Sequence, residues 1–474
     1  MPTRDRQVYL LDPQKLSPEV IAVTFAKTSR SPQSFRDIAS ELTDENSAEF
    51  HEKWVVGYGH SSVAEHAVLH IAAENVSRLV VENLESNRLA SYTEKSTRYQ
   101  KWDSDSFYIP DEFQNTALLE PYRRTCTLLF DTYRQSLDAV RQVITAENPR
   151  LPDETEAAWE RRNRSAYVDV CRYLLPASSL ANVGVTINAR ALEHAIRKLL
   201  SSPLLEAQSL GREIKSVAVA EVPTLVKYAD EVPYWRAIGQ SFSKILSERS
   251  EPDHEWCRLI DFDPQSEERV LAALLIRYSN NGYAQAVSYL RQMPASDRQN
   301  LVRRLSADCS KHDTPPRELE YMSFNFELIM DQGAYFEFKR HRMMTQTPQA
   351  LTTQLGYAVP RAMVAAGMEK AYRSAMQAVI ELYPRLAEIS PSAASYIVPN
   401  AFNRRVLINM NLRSAIHFLN LRCAPNAHFA IRRIARRMAD EILQQARGLA
   451  APFIHEIGED WHTLERDYFT DTGL

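Results

Sequence analysis

Cysteine and long apolar runs are both scarce in this sequence. The 474 residues include five cysteines, which are scattered singly and form no Cys-x-x-Cys pair. An odd, dispersed set does not fit a disulfide framework and favours a reducing compartment. No stretch approaches the roughly 18 uninterrupted apolar residues of a membrane span, and the first residues lack an apolar core of signal-peptide length. We therefore expect a cytoplasmic protein without a membrane partner.

Glycine and net charge are also low. The chain has 12 glycines and contains neither a Gly-x-Gly-x-x-Gly loop nor a Walker-type phosphate loop, so any phosphate must be held by arginine side chains. The formal net charge is −4, from 56 Lys+Arg against 60 Asp+Glu, which argues against a nucleic-acid partner. Hydrophobic residues make up 45% of the chain, an ordinary globular proportion, and the length permits more than one domain.

The sequence contains an internal repeat. Residues 172–200 align without a gap to residues 395–423, because positions 395, 411 and 422 each lie 223 residues after 172, 188 and 199. Both segments run from Tyr-hydrophobic-hydrophobic-Pro through Asn-x-Arg into a pattern with apolar residues at helical spacing. The chain is therefore predicted to be one ancestral domain repeated in tandem.

Further upstream the two copies pair more loosely. Residues 59–72 correspond to 311–328, where alternating apolar residues at 322, 324, 326 and 328 predict a half-buried strand. Each copy then enters an arginine-containing stretch, with Arg88 opposite Arg342. Strands and long helices that are not in βαβ order predict an α+β fold. We assign 1–245 to the first domain, the polar stretch 246–262 to a linker and 263–474 to the second domain.

The ordered motifs resemble the flavin-dependent thymidylate synthases. They are Ser-x-Arg at 96–98, Arg-x-x-Leu-Pro at 172–176, Arg-His-Arg at 340–342, and an Asn-x-Arg-led helix ending in Leu-Arg at 421–422. The resemblance implies an antiparallel sheet with flanking long helices in each domain, and sites between subunits of a homotetramer. It also implies FAD-dependent reductive methylation of dUMP to dTMP, with methylenetetrahydrofolate as carbon donor and NADPH as reductant. No cysteine here follows a proline, the context of the nucleophile in the classical folate-dependent enzyme, which agrees with the flavin route.

The resemblance implies a substrate site whose ligands have been divided between the copies. The first copy keeps one set of dUMP ligands, Glu94, Ser96, Arg98 and Arg172, whereas the second copy has Pro348, Ala350, Thr352 and Ser395 there. The second copy keeps the other set, Glu337, Arg340 and Arg422, whereas the first has Ser86, Asn87 and Leu199 nearby. Glu337 stands where the family usually has Gln. Complementary losses predict one composite site, and a homodimer of this chain that mimics the family tetramer.

The resemblance also implies the catalytic and cofactor-binding residues. Arg422 would lie beside the pyrimidine N3, where an adjacent cation favours the deprotonated ring. FAD would be held by residues of both copies, namely Arg340, His341, Arg342, Asn188, Arg190, His60, Ser62, Thr314 and His417. We expect no metal, because His60, His66 and His70 are joined by no Cys or Asp cluster and the alternation after His66 predicts a strand.

Simpler interpretations remain open for several of these motifs. Arg-His-Arg can be a solvated run on a helix, and Asn188 and Asn411 can be helix N-caps. The arginine-rich segment 431–442 is interpreted as an amphipathic helix with a solvated or subunit-contacting polar face. Two other functions stay open as well: flavin-dependent methylation of a different pyrimidine nucleotide, and a non-catalytic nucleotide-binding pseudoenzyme.

Overall fold

A computed structural model describes residues 7–29, 31–53, 61–96, 102–243, 245, 255–310, 312–455 and 458–474. The helices and strands up to residue 245 are α1 (Pro18–Lys27), α2 (Phe35–Ser40), α3 (Asp44–His51), β1 (Val68–Ser77), α4 (Arg78–Glu85), β2 (Ala90–Glu94), α5 (Leu119–Glu147), α6 (Glu156–Cys171), β3 (Leu180–Asn188), α7 (Ala189–Leu200), α8 (Leu205–Glu221) and α9 (Pro233–Phe242). Those after residue 255 are β4 (Cys257–Phe262), α10 (Ser266–Arg277), α11 (Tyr283–Gln292), α12 (Ala295–Arg304), β5 (Ser323–Asp331), α13 (Gln332–Phe338), β6 (Thr345–Pro348), β7 (Val359–Pro360), α14 (Arg361–Ala365), α15 (Glu369–Ile389), α16 (Pro391–Ala394), β8 (Asn403–Asn411), α17 (Leu412–Arg422), α18 (Phe429–Ala450), α19 (Trp461–Tyr468) and β9 (Phe469–Asp471).

The chain forms two compact units that do not coincide with the two sequence copies. The first unit comprises 1–95, 108–114 and 180–250, and the second comprises 96–107, 115–179 and 251–474. The long helices α5 and α6 of the first copy therefore belong to the second unit. Within the stretch assigned to the linker, β4 is a strand that pairs with β5. The boundary between the two copies stays a prediction. It divides the chain by ancestry, whereas the two units divide the chain by how its residues pack.

The first unit contains the antiparallel sheet β1-β3-β2. Val68 pairs with Asn188 and Ala90 with Ile187, so β3 lies between the other two strands. The strand predicted after His66 is confirmed as β1. Helix α7 follows β3 directly and packs against α8.

The second unit contains the antiparallel sheet β4-β5-β8-β6. In β5 the side chains of Phe324, Phe326 and Leu328 are fully buried, while Ser323, Asn325 and Glu327 face outward. The half-buried strand predicted from alternation is confirmed. A side chain of this size contributes about 1.5–3 kcal/mol when fully buried, so the alternating apolar residues determine which face meets the core.

The long helices α5 and α15 pack against each other in the second unit. They occupy equivalent places in the two copies, since Tyr372 lies 250 residues after Tyr122 and Tyr383 lies 250 residues after Tyr133. All four tyrosines are buried. Antiparallel sheets flanked by long helices agree with the predicted α+β class.

Each Asn-x-Arg motif begins a helix with an N-cap. The Asn188 side chain accepts a hydrogen bond from Ala191 N at 2.9 Å, and the Asn411 side chain accepts one from Ser414 N at 2.8 Å. Asn is favoured there because its oxygen satisfies one of the unpaired amides of the first helical turn. The capping interpretation is confirmed for both residues.

The arginine-rich helix α18 differs from the sequence-based interpretation. Arg432, Arg433 and Arg436 are buried and do not form a solvated face. Arg433 is covered by Glu465 of α19, and Arg436 donates to Cys423 O at 3.0 Å. The helical period identified the apolar stripe but carried no information about what covers the other side. Across the described ranges, the helices are too short or too polar to cross a membrane.

Candidate active site

Residues 172–179 and 395–402, the two proline loops of the repeat, pair with each other in the second unit. The pairing follows a local two-fold axis. Pro176 and Pro399, which are equivalent positions, form an antiparallel bridge. Two symmetry-related pairs of backbone hydrogen bonds flank it: Ala177 N to Val398 O and Asn400 N to Leu175 O, both 3.0 Å, then Ser178 N to Tyr396 O at 2.9 Å and Ala401 N to Tyr173 O at 3.0 Å. Segments from both copies are thereby joined at this point.

Arg172 lies in the first of these loops and is 2% exposed. Its Nε is 3.5 Å from Asp169 Oδ1, one helical turn earlier. Its carbonyl oxygen accepts a hydrogen bond from Asn400 Nδ2 of the second copy at 2.9 Å. A residue of one copy is thus held by a side chain of the other.

Glu337 brings the cations of both copies together. It lies on α13, whose N-cap Asp331 accepts a hydrogen bond from Ala334 N at 2.8 Å. Glu337 Oε2 accepts a hydrogen bond from Arg422 Nη1 at 2.7 Å, and Glu337 Oε1 is 3.9 Å from Arg172 Nη1. One carboxylate therefore lies within ion-pair distance of a first-copy arginine and a second-copy arginine, and its charge-assisted hydrogen bond to Arg422 is of the stronger kind.

His341 supplies a second acceptor for Arg422. Arg422 Nε donates to His341 Nε2 at 3.0 Å. Burial, together with the neighbouring Arg422 and His417, lowers the pKa of His341 to about 3. The imidazole is neutral at physiological pH, and because Nε2 accepts, the proton is assigned to Nδ1. Glu337 and His341 together fix the orientation of the Arg422 guanidinium.

Arg172, Glu337, His341 and Arg422 form the active-site cluster. Asp331, Asp169 and Asn400 also contribute to this cluster, although the sequence did not point to them. Burial raises the pKa of Asp331 to about 6, against the opposing effect of the Ala334 amide and of Arg172 and Arg433. Asp169 stands three residues before Arg172, a helical spacing that could have indicated an ion pair. Asn400 gave no such signal, because its role depends on the pairing of the two loops.

The other predicted residues of the second unit differ in their exposure. Arg-His-Arg follows the end of α13 and is not a solvated helical run, since Arg340 is exposed, His341 is buried and Arg342 is half-buried. The His417 ring is 5.7 Å from that of His341, measured between centroids. Thr314 is exposed and Ser96 is half-buried.

The first unit holds the remaining predicted residues. Glu94 is buried in an ion pair with Arg78, at 3.0 Å. Arg190 is exposed and pairs with Glu65, and Ser62 is exposed. Two further predicted ligands, His60 and Arg98, lie outside the described residues.

The first-copy counterpart of Arg-His-Arg has a different set of contacts. Ser86 and Asn87 stand where the second copy has Arg340 and His341, and both accept hydrogen bonds from Lys198 Nζ, at 3.0 Å for Asn87 Oδ1. Burial lowers the pKa of Lys198 to about 8. The first copy thus has a lysine held by two neutral oxygens where the second copy has the Glu–Arg–His arrangement. In the described part of the chain, no group of three or more His, Cys, Asp and Glu side chains is arranged to hold a metal ion.

These features define a class of protein with a duplicated α+β fold, in which residues of both copies contribute to one polar cluster. The chain belongs to the thymidylate synthase complementing protein family, whose model matches residues 10–224 and again 258–446. The double match confirms the tandem duplication, and the resemblance to flavin-dependent thymidylate synthases is confirmed with it.

Individual relatives cover either most of the chain or a little under half of it. The chain is 32% identical over 426 residues to the UPF0159 protein of Chlamydia muridarum, covering 85% of this chain and 80% of the relative. It is 27% identical over 214 residues to the flavin-dependent thymidylate synthase of Clostridium tetani, covering 45% of this chain and 82% of that protein. Among solved structures, the flavin-dependent thymidylate synthase of Helicobacter pylori, complexed with FAD and dUMP, is 20% identical with a TM-score of 0.30. The match covers 45% of this chain and 96% of the Helicobacter pylori chain.

Proposed function

We propose that this chain catalyses the FAD-dependent reductive methylation of dUMP to dTMP, with methylenetetrahydrofolate as carbon donor and NADPH as reductant. Family membership and the name of the Clostridium tetani relative support the reaction class. The observation that carries a composite site is the Glu337 carboxylate, which lies 2.7 Å from Arg422 and 3.9 Å from Arg172. A dimer of this chain would then correspond to the family tetramer.

Arg422 is the proposed catalytic residue. A guanidinium beside N3 and an exocyclic oxygen stabilises the deprotonated ring, which makes C5 a better nucleophile. The planar guanidinium stays cationic at any physiological pH and can fork onto the ring edge, which a lysine could not do. Glu337 and His341 hold it in place by accepting from two of its nitrogens. His341 must be neutral for this contact, because a protonated imidazole would place an N–H donor at Nε2 against the N–H donor of Arg422 Nε.

The phosphate of dUMP is proposed to lie with Arg172, Arg98 and Ser96, and Glu94 is carried along by the same resemblance. Each charge-assisted hydrogen bond of such a clamp contributes about 1.5–3 kcal/mol. Serine acts here as a donor to phosphate and not as a nucleophile.

The residues proposed to hold FAD fit an anionic cofactor in charge and access. Arg340 is exposed and Arg342 half-buried, so cationic groups of the second unit face solvent where a diphosphate can reach them. His341, His417 and Thr314 belong to the same proposal, and the roles of Asn188, Arg190, His60 and Ser62 remain predictions from the resemblance. When bound, FAD supplies the hydride chemistry, while the protein supplies binding and orientation.

A different pyrimidine nucleotide is the second candidate substrate. Glu337 favours it, because a carboxylate only accepts hydrogen bonds whereas the Gln usual in the family can also donate. A comparison of methyl transfer to dUMP and UMP separates the two. Faster transfer to UMP would replace dUMP in the proposal.

The first experiment is an absorbance spectrum of the purified protein with flavin quantified per chain. We expect about one FAD per chain, because one live composite site remains in each. Two FAD molecules per chain would contradict the inference that each copy has lost the ligands that the other keeps. Protein that cannot be reconstituted with FAD would favour the pseudoenzyme, although a scaffold has no reason to keep Arg98 and Arg422 in different copies.

A further inference from the structure

The terminal segment 458–474, which lies beyond the last family-matched residue, is bound to α18 by two parallel ion pairs. Arg433 Nε and Nη2 both contact Glu465 Oε2 at 2.7 Å. One residue earlier on the same helix, Arg432 Nη1 is 3.1 Å from Glu459 Oε1. The two arginines are almost equally buried, so the two pairs are closely matched in the exposure of their cations.

A stack of aromatic rings connects this segment to the proline loop that carries Arg172. The Tyr468 ring stacks on Phe429 with 4.9 Å between centroids and an interplanar angle of 4°. Phe429 in turn stacks on Tyr173, at 5.9 Å and 11°. The last ring of the stack therefore belongs to the residue directly after Arg172.

Arg433 also has an electrostatic connection to the candidate active site. It is 5% exposed, and it interacts with Asp331 and Tyr173 as well as with Glu465. Asp331 caps α13, the helix that carries Glu337. The charged and titratable groups that act on Asp331 are Arg172, Tyr173, Arg433 and Tyr372. Arg433 therefore interacts electrostatically with Glu465 and with the N-cap residue of α13.

We propose that the terminal segment positions the active-site cluster, with Glu465 as a positioning residue that acts through Arg433. A buried guanidinium that loses its carboxylate partner is left as an uncompensated charge. When Glu465 shares Arg433, Asp331 can keep its bond to the Ala334 amide and hold the first turn of α13. Without Glu465, the cation draws more strongly on Asp331, so both the start of α13 and the loop beside Tyr173 loosen. The effect on nucleotide binding rests on the proposed function, whereas the coupling itself does not.

The test compares Glu465→Gln with Glu459→Gln. These carboxylates have side-chain exposures of 38% and 33%, and each pairs with a buried arginine of α18. Hydrogen–deuterium exchange is followed in peptides covering 172–179 and 331–338, and dUMP affinity is measured on the same preparations. We expect Glu465→Gln to speed exchange in both peptides by about fivefold or more, and Glu459→Gln to leave it within about twofold. Glu465→Asp should recover part of the protection.

Equal responses to the two Gln variants, or no response to Glu465→Gln, would overturn the inference. If Glu465→Gln fails to fold, Glu465→Asp against Glu459→Asp gives the same comparison with milder changes. An affinity for dUMP that falls with Glu465→Gln while flavin content is unchanged extends the coupling to the nucleotide site. Exchange that responds as expected in a protein that binds no dUMP, wild type included, leaves the coupling intact and contradicts the proposed function.

Discussion

At the scale of single residues, the candidate site is a balanced set of buried charges. Arg172 and Arg422 share Glu337, and Arg172 also faces Asp169. Buried ion pairs contribute little net stability by themselves, but removal of one partner leaves an uncompensated charge and costs several kcal/mol. Substitutions in this cluster should therefore affect function and stability by separable amounts, which matched controls can resolve.

Replacement of Arg422 by Ala should lower kcat/KM for dUMP methylation, because it removes the proposed cation beside N3. The expected decrease corresponds to a loss of about 2–5 kcal/mol of transition-state stabilisation. The measurement is steady-state kinetics on protein of known flavin content. Arg413→Ala is the control, since Arg413 lies on the same helix and its Nη1 pairs with Glu320 at 2.8 Å. Unchanged activity of the Arg422 variant in an otherwise active preparation would contradict the composite-site proposal.

His341 should make the protein less stable in acid. Its pKa in the folded protein is about 3, below the usual 6.5, so the unfolded chain binds more protons between these values. Stability from this group is present above pH 6.5 and is lost as the pH falls, at up to about 1.4 kcal/mol per pH unit. His341→Gln should therefore lose less stability than wild type between pH 6.5 and 5, by on the order of 1–2 kcal/mol.

The measurement is urea unfolding of both proteins at the two pH values. The exposed His462 supplies the control variant, His462→Gln. A His341 variant with the same acid dependence as wild type would show that this imidazole does not have its pKa lowered by burial.

At the scale of helices and strands, sequence patterns predicted what depends on near neighbours. The apolar alternation of β5 and the Asn caps of α7 and α17 are local features, and the structure confirms them. The polar face of α18 was interpreted wrongly, because Glu459 and Glu465 come from a segment that no helical period connects to α18. The resemblance supplied Arg172, Glu337 and Arg422, but the pairing of the two proline loops that joins the copies depends on distant segments.

Two glycines with the same backbone conformation should respond differently to alanine. Gly356 and Gly367 both have φ of 71°, a left-handed conformation that disfavours a side chain. A Cβ on Gly356 would lie 2.2 Å from Gly473 O of the terminal segment, whereas one on Gly367 meets nothing within 4 Å. Gly367→Ala should cost about 1 kcal/mol and Gly356→Ala on the order of 2–4 kcal/mol of unfolding free energy. Equal losses in chemical denaturation would mean that the terminal segment yields without cost.

At the scale of the whole molecule, duplication has joined in one chain two copies that the proposed site would use differently. A symmetric assembly of identical domains must repeat every ligand, whereas a fused pair can keep each ligand once. Arg172 and Arg422 come from different copies, yet they lie in the same compact unit and contact the same carboxylate. The ligands of the cluster around Glu337 are therefore supplied within one chain, even though the copies that supply them are ancestral equivalents.

Mixing two inactive variants tests this arrangement. If Arg172 and Arg422 serve one site within a chain, Arg172→Ala and Arg422→Ala chains each carry a broken site, and co-assembly cannot rebuild an intact one. Co-expressed variants with distinct tags, purified through both, should show only the mean of the two single-variant activities. Wild type co-purified with Arg172→Ala should keep about half of the wild-type activity per chain, which confirms that mixed assemblies remain competent. Recovery in the double-variant assembly well above that mean would place Arg172 and Arg422 of a working site on different chains, and the contact through Glu337 would then not be the catalytic pairing.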